Sequence, residues 1–368
     1  MDIAKTLMKA MGNPYASLAS TGKSAGSLSS YIGTGSYVLN AVVSGSLFGG
    51  IPSNKITMFA GEPSTGKTFF SLSVCKHFLD NDPTAVVFYF ETEGAISKEM
   101  LEERDIDTDR FVISEIDTAE SFRNSTVKLV ESYMKTVKDN PPVLLVLDSL
   151  GMLSTEKESA DAAEGKNVRD MTRAQVLKSA FRTITLRLSR ADIPLIVVNH
   201  VYASMDKYSP KVVGGGSGSQ YAASTIIQLT KAKAVGGDTG GASADKTRTG
   251  SIISCTATKS RLTIEMTKVK TLLHQRSGLD PYFGLFDLAK QAGMIVKDGK
   301  RWHNVFADEV LWGKDIVNPA KAHETFTQAF LEELDVWVQQ NFKYGAVDSV
   351  DLDHLVSEEE PEEDEEDE

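Results

Sequence analysis

A glycine-rich loop near the start of the chain carries the residue types that bind a nucleoside triphosphate. The run Gly61-Glu62-Pro63-Ser64-Thr65-Gly66-Lys67-Thr68 matches the G-x-x-x-x-G-K-[ST] pattern in full. An apolar run over 56–60 precedes it and helical spacing over 69–79 follows it, which is the strand–loop–helix context that the motif requires. We expect all eight residues to contact the nucleotide, with Lys67 at the β- and γ-phosphates and the Thr68 hydroxyl on Mg²⁺.

Three later apolar runs end in polar residues that could act on the same ligand. Residues 85–90 lead into Glu93, residues 143–147 into Asp148, and residues 195–198 into His200. Because the carboxyl ends of parallel strands face the ligand crevice of an open α/β sheet, we expect Glu93 to polarise an attacking water and Asp148 to contact Mg²⁺ beside Thr68. Glu93 could instead be a solvated loop acid. His200 is either a sensor of the γ-phosphate or a satisfied core histidine.

Two stretches without apolar periodicity, 154–167 and 202–219, are predicted to be long flexible loops at the ends of strands. Cations, an aromatic ring and mobile glycines suit the backbone of a single-stranded nucleic acid. The alternative is a pair of ordinary surface loops. A helix predicted over 168–190 adds further cations, which could also form a solvated face. The second stretch contributes the candidate contacts Tyr202, Lys207, Lys211, Gly214, Gly215 and Gly216.

The composition is that of a globular protein, but the charge is unevenly distributed. The 368 residues carry a formal charge of −12, and ten acids lie within 358–368; removing ten negative charges leaves −2. The body of the chain is therefore near neutral, and a local basic surface remains possible. The acidic end cannot bury a core and is predicted to be disordered. No apolar run approaches the length of a membrane span.

The start of the chain has an apolar stripe, and the chain contains two cysteines. Ile3, Leu7 and Met11 form a helical stripe that packs either on its own core or on a neighbouring subunit. Residues 12–35 are rich in Ser, Gly and Ala and are predicted to be a linker. Cys75 and Cys255 have neither metal nor redox spacing, so we predict buried, reduced thiols.

The order of these segments resembles that of the RecA-family recombinases, and in particular the UvsX-like recombinases of large tailed phages. The likeness runs from about residue 32 to 288. It is carried by the stretches Gly33-Thr34-Gly35-Ser36, Asp148-Ser149-Leu150-Gly151, Asp170-Met171-Thr172-Arg173-Ala174, Asn199-His200, Gly214-Gly215-Gly216 and Leu279-Asp280-Pro281-Tyr282-Phe283-Gly284-Leu285. Many matched segments in one order are far more specific than the glycine loop alone.

The resemblance implies a fold and a domain organisation. The fold is an α/β RecA-like P-loop NTPase core, with a mostly parallel central sheet and helices on both faces. We predict an N-terminal oligomerisation helix and linker (1–31), the ATPase core (32–276), a small C-terminal α/β domain (277–350) and a disordered acidic tail (351–368).

The resemblance also implies an activity and partners. Such proteins use ATP and Mg²⁺, polymerise on single-stranded DNA as helical filaments, and exchange strands with homologous duplex DNA in recombination, repair and replication. A single-strand-binding protein and a loader or mediator protein are implied as partners, without a membrane. The implied location is the cytoplasm of an infected bacterial host.

Individual positions take their expected roles from the same resemblance. Glu93 matches the catalytic glutamate, and Lys259 and Arg261 match cations that reach the neighbouring subunit's phosphate, as an arginine finger does. His200 stands where many relatives have a glutamine, and Met100 where many have a tyrosine that stacks on adenine. The implied DNA contacts include Arg169 and Arg173, and the implied subunit interface includes Tyr221 with Ile3 and Leu7.

Two other classes of function remain open. A ring-forming RecA-fold helicase or motor would need a long N-terminal region, and the first thirty or so residues are short and rich in Ser and Gly. A non-catalytic, ATP-binding recombination mediator could lose the catalytic residues. Catalysis is favoured because the chain retains Lys67, Thr68, Glu93, Asp148, Lys259 and Arg261.

Overall fold

The structure is a computed structural model that describes residues 3–21, 24–136, 141–166, 172–202, 212–231, 250–312 and 321–345. The helices of these residues are α1 (Ile3–Ala10), α2 (Tyr37–Ser44), α3 (Lys67–Asn81), α4 (Lys98–Glu102), α5 (Ala119–Thr136), α6 (Glu156–Ala163), α7 (Arg173–Ala191), α8 (Ser217–Ala222), α9 (Leu285–Gln291), α10 (Ala322–Thr325) and α11 (Gln328–Phe342). The strands are β1 (Tyr31–Ile32), β2 (Ile51–Pro52), β3 (Ile56–Gly61), β4 (Val86–Glu91), β5 (Phe111–Glu115), β6 (Val143–Asp148), β7 (Leu195–Tyr202), β8 (Val212–Val213), β9 (Thr225–Lys231), β10 (Gly250–Ser260), β11 (Lys268–His274), β12 (Gly278–Leu279), β13 (Ile295–Asp298), β14 (Arg301–Asn304) and β15 (Glu309–Leu311).

A large mixed sheet runs through the centre of the chain. Its strand order is β12-β11-β10-β9-β3-β7-β6-β4-β5, and β8 pairs with β7. The six strands from β9 to β5 along this path are parallel, whereas β10, β11 and β12 continue the sheet in antiparallel pairs. The predicted α/β class with a mostly parallel sheet is confirmed.

The central strands are apolar throughout because both faces of the sheet are covered. Successive side chains of a strand point to opposite faces. In β6, Leu145 and Leu147 therefore pack in one hydrophobic cluster with α5 and α7, while Leu144 and Val146 pack in a second with α2 and α3. Burying both faces explains why these segments lack the alternation of a half-exposed strand.

The C-terminal part adds a small three-stranded antiparallel sheet, β13-β14-β15, and the helices α9 to α11. Phe330, Leu334 and Val338 of α11 join the hydrophobic cluster that contains α2 and α3. β12 pairs with β11, so the large sheet continues past residue 276. The division into separate domains stays a prediction, and the tail beyond residue 345 lies outside the described residues.

One predicted loop was wrong in part: residues 154–167 contain helix α6. The Thr155 hydroxyl accepts a 3.0 Å hydrogen bond from the backbone N–H of Glu158 and so caps the helix. The sequence contains a Thr-x-x-Glu pattern, which is typical of a helix start. The segment was nevertheless predicted to be a loop because it has no apolar periodicity. Residues 167–171 and 203–211, which include other parts of the predicted loops, lie outside the described residues.

The N-terminal helix does not pack on its own core. No side chain of α1 is buried, and Ile3, Leu7 and Met11 are 74%, 61% and 68% exposed. Farther along, the Tyr15 ring does contact the surface of α7, because the guanidinium of Arg190 lies 3.8 Å from its centroid. The first of the two interpretations of the stripe is therefore wrong, and docking on a neighbour stays a prediction.

Both cysteines are buried and free, as predicted. Among the described helices, none combines the length and the apolar character that crossing a bilayer requires.

Candidate active site

Four neighbouring parallel strands bring their carboxyl ends together at one edge of the sheet. In the sheet, Gly61 at the end of β3 is in register with His200 of β7, and Glu91 at the end of β4 is in register with Asp148 of β6. Ligands of open α/β sheets bind outside these ends. The residues that the sequence singled out in four separate segments therefore converge on one crevice.

The loop after β3 has the backbone geometry of a phosphate cradle. Ser64 and Gly66 have positive φ angles of 62° and 84°, which turn successive N–H groups toward one concavity. The adjoining α3 directs its N-terminal dipole at the same place. Gly61 has no space for a side chain, since a Cβ there would lie 2.9 Å from the carbonyl oxygen of Leu229. The glycines of the motif are thus required by packing as well as by backbone conformation.

Lys67 is buried and points back into this loop. Its ammonium donates hydrogen bonds to the carbonyl oxygens of Gly61 (3.0 Å) and Glu62 (2.9 Å). Burial lowers the pKa of Lys67, and the nearby carboxylates of Asp148 and Glu93 oppose that shift. A buried ammonium beside a phosphate-binding loop can exchange these carbonyl partners for the oxygens of a bound anion.

Thr68 and Asp148 form the oxygen pair expected of a Mg²⁺ site. The Thr68 hydroxyl donates to Asp148 Oδ2 at 2.7 Å, and the peptide between Asp148 and Ser149 is cis. Burial raises the pKa of Asp148, while hydrogen bonds from Tyr89 and Thr68 lower it and the charges of Glu93 and Glu91 raise it further. Hydroxyl and carboxylate oxygens are the ligands that Mg²⁺ prefers, so this pair fits the implied ion.

Glu91, which ends β4, and Glu93, which follows the strand, have different roles. Glu91 is buried, and its carboxylate accepts hydrogen bonds from the backbone N–H groups of Glu93 (3.1 Å), Gly94 (2.5 Å) and Ala95 (3.1 Å). It therefore shapes the turn that presents Glu93. Sequence reasoning singled out Glu93 but missed this supporting role of Glu91, because two acids at a strand end look alike in sequence.

Glu93 faces the crevice, and its carboxylate lies among polar partners. Its Oε1 accepts a hydrogen bond from Ser149 Oγ at 2.6 Å and lies 3.4 Å from His200 Nε2. The side chain is 37% exposed. A reachable carboxylate beside the Thr68–Asp148 pair has the placement that a general base needs.

His200 connects this acid to the glycine loop after β7. The Gly214 N–H donates to the His200 carbonyl at 2.9 Å, and the Asn199 amide donates to the Gly214 carbonyl at 2.9 Å. A Cβ at Gly214 would lie 2.7 Å from the Tyr202 ring. Tyr202, Gly214, Gly215 and Gly216 are thus placed next to the nucleotide crevice, whereas Lys207 and Lys211 lie outside the described residues.

Lys259 and Arg261 meet at the end of α8. The Lys259 ammonium donates to the carbonyl oxygens of Gln220 (2.6 Å), Ala223 (2.7 Å) and Tyr221 (3.3 Å), and Arg261 also reaches the carbonyl of Tyr221 (3.3 Å). Burial lowers the pKa of Lys259, as does the charge of Arg261. The Tyr221 side chain is 71% exposed. Within one chain, both cations therefore hold the end of the helix that follows the glycine loop.

Two further candidate residues have structural partners. Arg173 donates to the carbonyl oxygens of Leu153 and Gly151, both at 2.8 Å, and so ties α7 to the segment after β6. The carbonyl of Met100 accepts a hydrogen bond from Arg104, whose guanidinium lies 4.5 Å from the centroid of the Phe69 ring just after the phosphate loop. Arg169 lies outside the described residues.

Comparisons with known proteins agree with this arrangement. The model of the RecA N-terminal domain family matches residues 3–272. The recombination and repair protein of Enterobacteria phage T4 is 28% identical over 331 residues, which cover 86% of this chain and 79% of the relative. Protein RecA of Bdellovibrio bacteriovorus is 25% identical over 283 residues, which cover 76% and 70%. The matched region contains every strand that contributes to the crevice.

Proposed function

This chain belongs to the RecA family, and we propose that it is a DNA-dependent ATPase that acts as a recombinase. In this proposal it binds ATP with Mg²⁺, polymerises on single-stranded DNA and exchanges strands with homologous duplex DNA. The T4 relative is named for recombination and repair, and the Bdellovibrio relative is named RecA. In this proposal, the protein acts in the cytoplasm of an infected bacterial host.

One observation supports the proposal most strongly: the nucleotide crevice and the candidate DNA loop share a strand end. Glu93, His200 and Gly214 form a continuous chain of contacts between them. A change in the position of Glu93 on nucleotide binding is therefore transmitted to the backbone of the glycine loop. Such a connection is expected of an ATPase whose activity depends on DNA. A kinase that acts on small molecules does not require it.

The residues take distinct roles in this account. Lys67 and the loop from Gly61 to Thr68 bind the phosphates, and Thr68 and Asp148 hold Mg²⁺, which neutralises charge on the phosphates when bound. Glu93 accepts the proton of the attacking water. Met100 borders the base, and Lys259 and Arg261 stabilise the phosphate of a neighbouring subunit.

DNA and protein contacts complete the proposal. Arg169, Arg173 and the segment from Tyr202 to Gly216 bind the single strand. Ile3 and Leu7 of α1 together with Tyr221 contact adjacent subunits. The exposed apolar stripe of α1 supports this, since an exposed patch of this kind marks an interaction site. A single-strand-binding protein and a loader would assist assembly.

Electron microscopy tests the assembly directly. The protein is mixed with single-stranded DNA, Mg²⁺ and a non-hydrolysable ATP analogue, and omission of the DNA serves as the control. We expect helical filaments on the DNA. Closed rings would instead identify a motor, and nucleotide binding without any assembly would favour the mediator.

A further inference from the structure

A fully buried tyrosine lies beneath the candidate metal site and has no part in the proposed function as derived so far. Tyr89 of β4 has no exposed surface, and its ring stacks on Phe111 with centroids 5.4 Å apart. Its hydroxyl lies 2.6 Å from Asp148 Oδ2. Tyr89 is in register with Val146, two residues before Asp148, so the phenol reaches along the neighbouring strand to the carboxylate.

The direction of these hydrogen bonds follows from the groups involved. An ionised carboxylate only accepts, so the Tyr89 phenol donates to Asp148. The Thr68 hydroxyl donates to the same oxygen at 2.7 Å. Ser71 Oγ lies 3.2 Å from the Tyr89 oxygen and donates to the Thr68 carbonyl at 2.8 Å. Two hydroxyl groups, one from β4 and one from α3, therefore hold one side of the Asp148 carboxylate, and the Ser71 hydroxyl lies behind them.

This arrangement treats the two carboxylate oxygens differently. Oδ2 accepts from two hydroxyl groups, whereas no donor in the described part of the chain contacts Oδ1. A carboxylate held on one side by two donors cannot rotate about its terminal bond without breaking both. Oδ1 is therefore kept available at the crevice.

We propose that Tyr89 is a positioning residue for Mg²⁺, holding the Asp148 carboxylate so that Oδ2 stays with Thr68 and Oδ1 is left for the hydration shell of the ion. This inference rests on the proposed ATP and Mg²⁺ site. Partners that orient a metal-binding carboxylate commonly contribute about 10- to 100-fold to metal affinity. Phenylalanine would fill the same space and keep the stacking on Phe111, but it could not hold the carboxylate.

The test is the variant Tyr89→Phe, with Tyr133→Phe as the matched control. Tyr133 donates its hydroxyl to the Pro141 carbonyl at 3.0 Å and does not contact the crevice, so the control removes one hydroxyl hydrogen bond elsewhere. Binding of a non-hydrolysable ATP analogue is measured without DNA while Mg²⁺ is titrated. The melting temperature of each protein is recorded as well.

We expect Tyr89→Phe to raise the Mg²⁺ midpoint of analogue binding by about 10-fold. Its affinity for the analogue in EDTA should equal that of the wild type, and excess Mg²⁺ should restore the hydrolysis rate. Tyr133→Phe should leave the midpoint unchanged. A lower melting temperature with an unchanged midpoint for Tyr89→Phe would show a purely structural tyrosine and overturn the inference.

Two further outcomes are also decisive. If the wild type itself shows no Mg²⁺-dependent binding of the analogue, the proposed function fails and the inference fails with it. If Tyr89→Phe does not fold, Tyr89→Met is used, because methionine also lacks the hydroxyl donor and adapts to the space that the ring leaves. A raised midpoint for Tyr89→Met supports the positioning role, and an unchanged one contradicts it.

Discussion

At the scale of single residues, hydrogen bonds divide the acids of the crevice into those that shape it and those that face the ligand. Glu91 satisfies three backbone N–H groups, and Asp148 is held by two hydroxyl groups. Among the described residues, the accessible carboxylate of Glu93 has only a serine hydroxyl and a histidine ring as partners. Of the three, Glu93 is therefore the acid that can exchange its partners for a water molecule.

The variant Glu93→Gln tests this assignment. Glutamine keeps the shape of the side chain but cannot accept a proton, so we expect hydrolysis to fall by at least about 100-fold. Affinity for ATP should remain within a few-fold of the wild type. Single-turnover hydrolysis and equilibrium nucleotide binding are the two measurements.

Glu115→Gln is the matched control, because Glu115 ends the neighbouring strand β5 and is exposed. It should hydrolyse ATP at the wild-type rate. Hydrolysis that survives in Glu93→Gln would mean that another group accepts the proton.

Residue identities could be predicted from sequence where the signal is local. The phosphate loop is eight consecutive residues, and Asp148 directly follows an apolar run. Tyr89 and Ser149 were missed as partners because their contacts join different strands. Tyr89 reads in sequence as one more apolar position of a buried strand, and the only hint was that a buried phenol needs a partner for its hydroxyl.

Among the secondary-structure elements, the short helix α8 links the glycine loop over 214–216 to Lys259 and Arg261. It begins at Ser217, directly after Gly216, and the carbonyl oxygens of Gln220, Tyr221 and Ala223 near its end bind Lys259. A cation at a helix C-terminus is favourable both for the orphan carbonyls and for the helix dipole. Lys259 must leave these partners if it is to reach a neighbouring subunit.

This arrangement predicts different effects for the two cations. Lys259→Met should reduce DNA-stimulated hydrolysis and also lower the free energy of unfolding by roughly 1 kcal/mol, because helix-end carbonyls lose their donor. Arg261→Met should reduce hydrolysis with little loss of stability, since Arg261 is exposed and makes one long contact to Tyr221. Urea denaturation and steady-state hydrolysis measure the two effects.

Nucleotide binding by the isolated subunit gives the control for this pair. Nucleotide binding should be nearly unchanged in both variants, since the role proposed for the cations is on a neighbour's nucleotide. An equal loss of binding and hydrolysis would mean that the residues act within their own subunit.

The apolar periodicity of the sequence predicted that most helices and strands exist, but it did not predict where some of them begin and end. The run 56–60 and the strand β3 agree closely because a buried strand is a continuous apolar run. Strand β9 begins only at Thr225, because 217–222 form α8. A six-residue helix is too short to produce a clear helical period.

At the scale of the whole molecule, the order of strands explains how distant segments form one site. β3 lies between β7 and β9, and β6 lies between β7 and β4. The crevice strands that are neighbours in the sheet are therefore separated in sequence by other elements. The resemblance to the RecA-family recombinases implied a mostly parallel sheet, but this strand order depends on packing that no local pattern encodes.

The proposed coupling of nucleotide hydrolysis to DNA is measured as the dependence of the hydrolysis rate on single-stranded DNA. ATP hydrolysis is measured with and without single-stranded DNA for the wild type and for Lys67→Ala, which removes the buried cation of the phosphate loop. We predict strong stimulation of the wild type by single-stranded DNA and no hydrolysis above background by the variant. Hydrolysis by the wild type at the same rate with and without DNA would contradict the account.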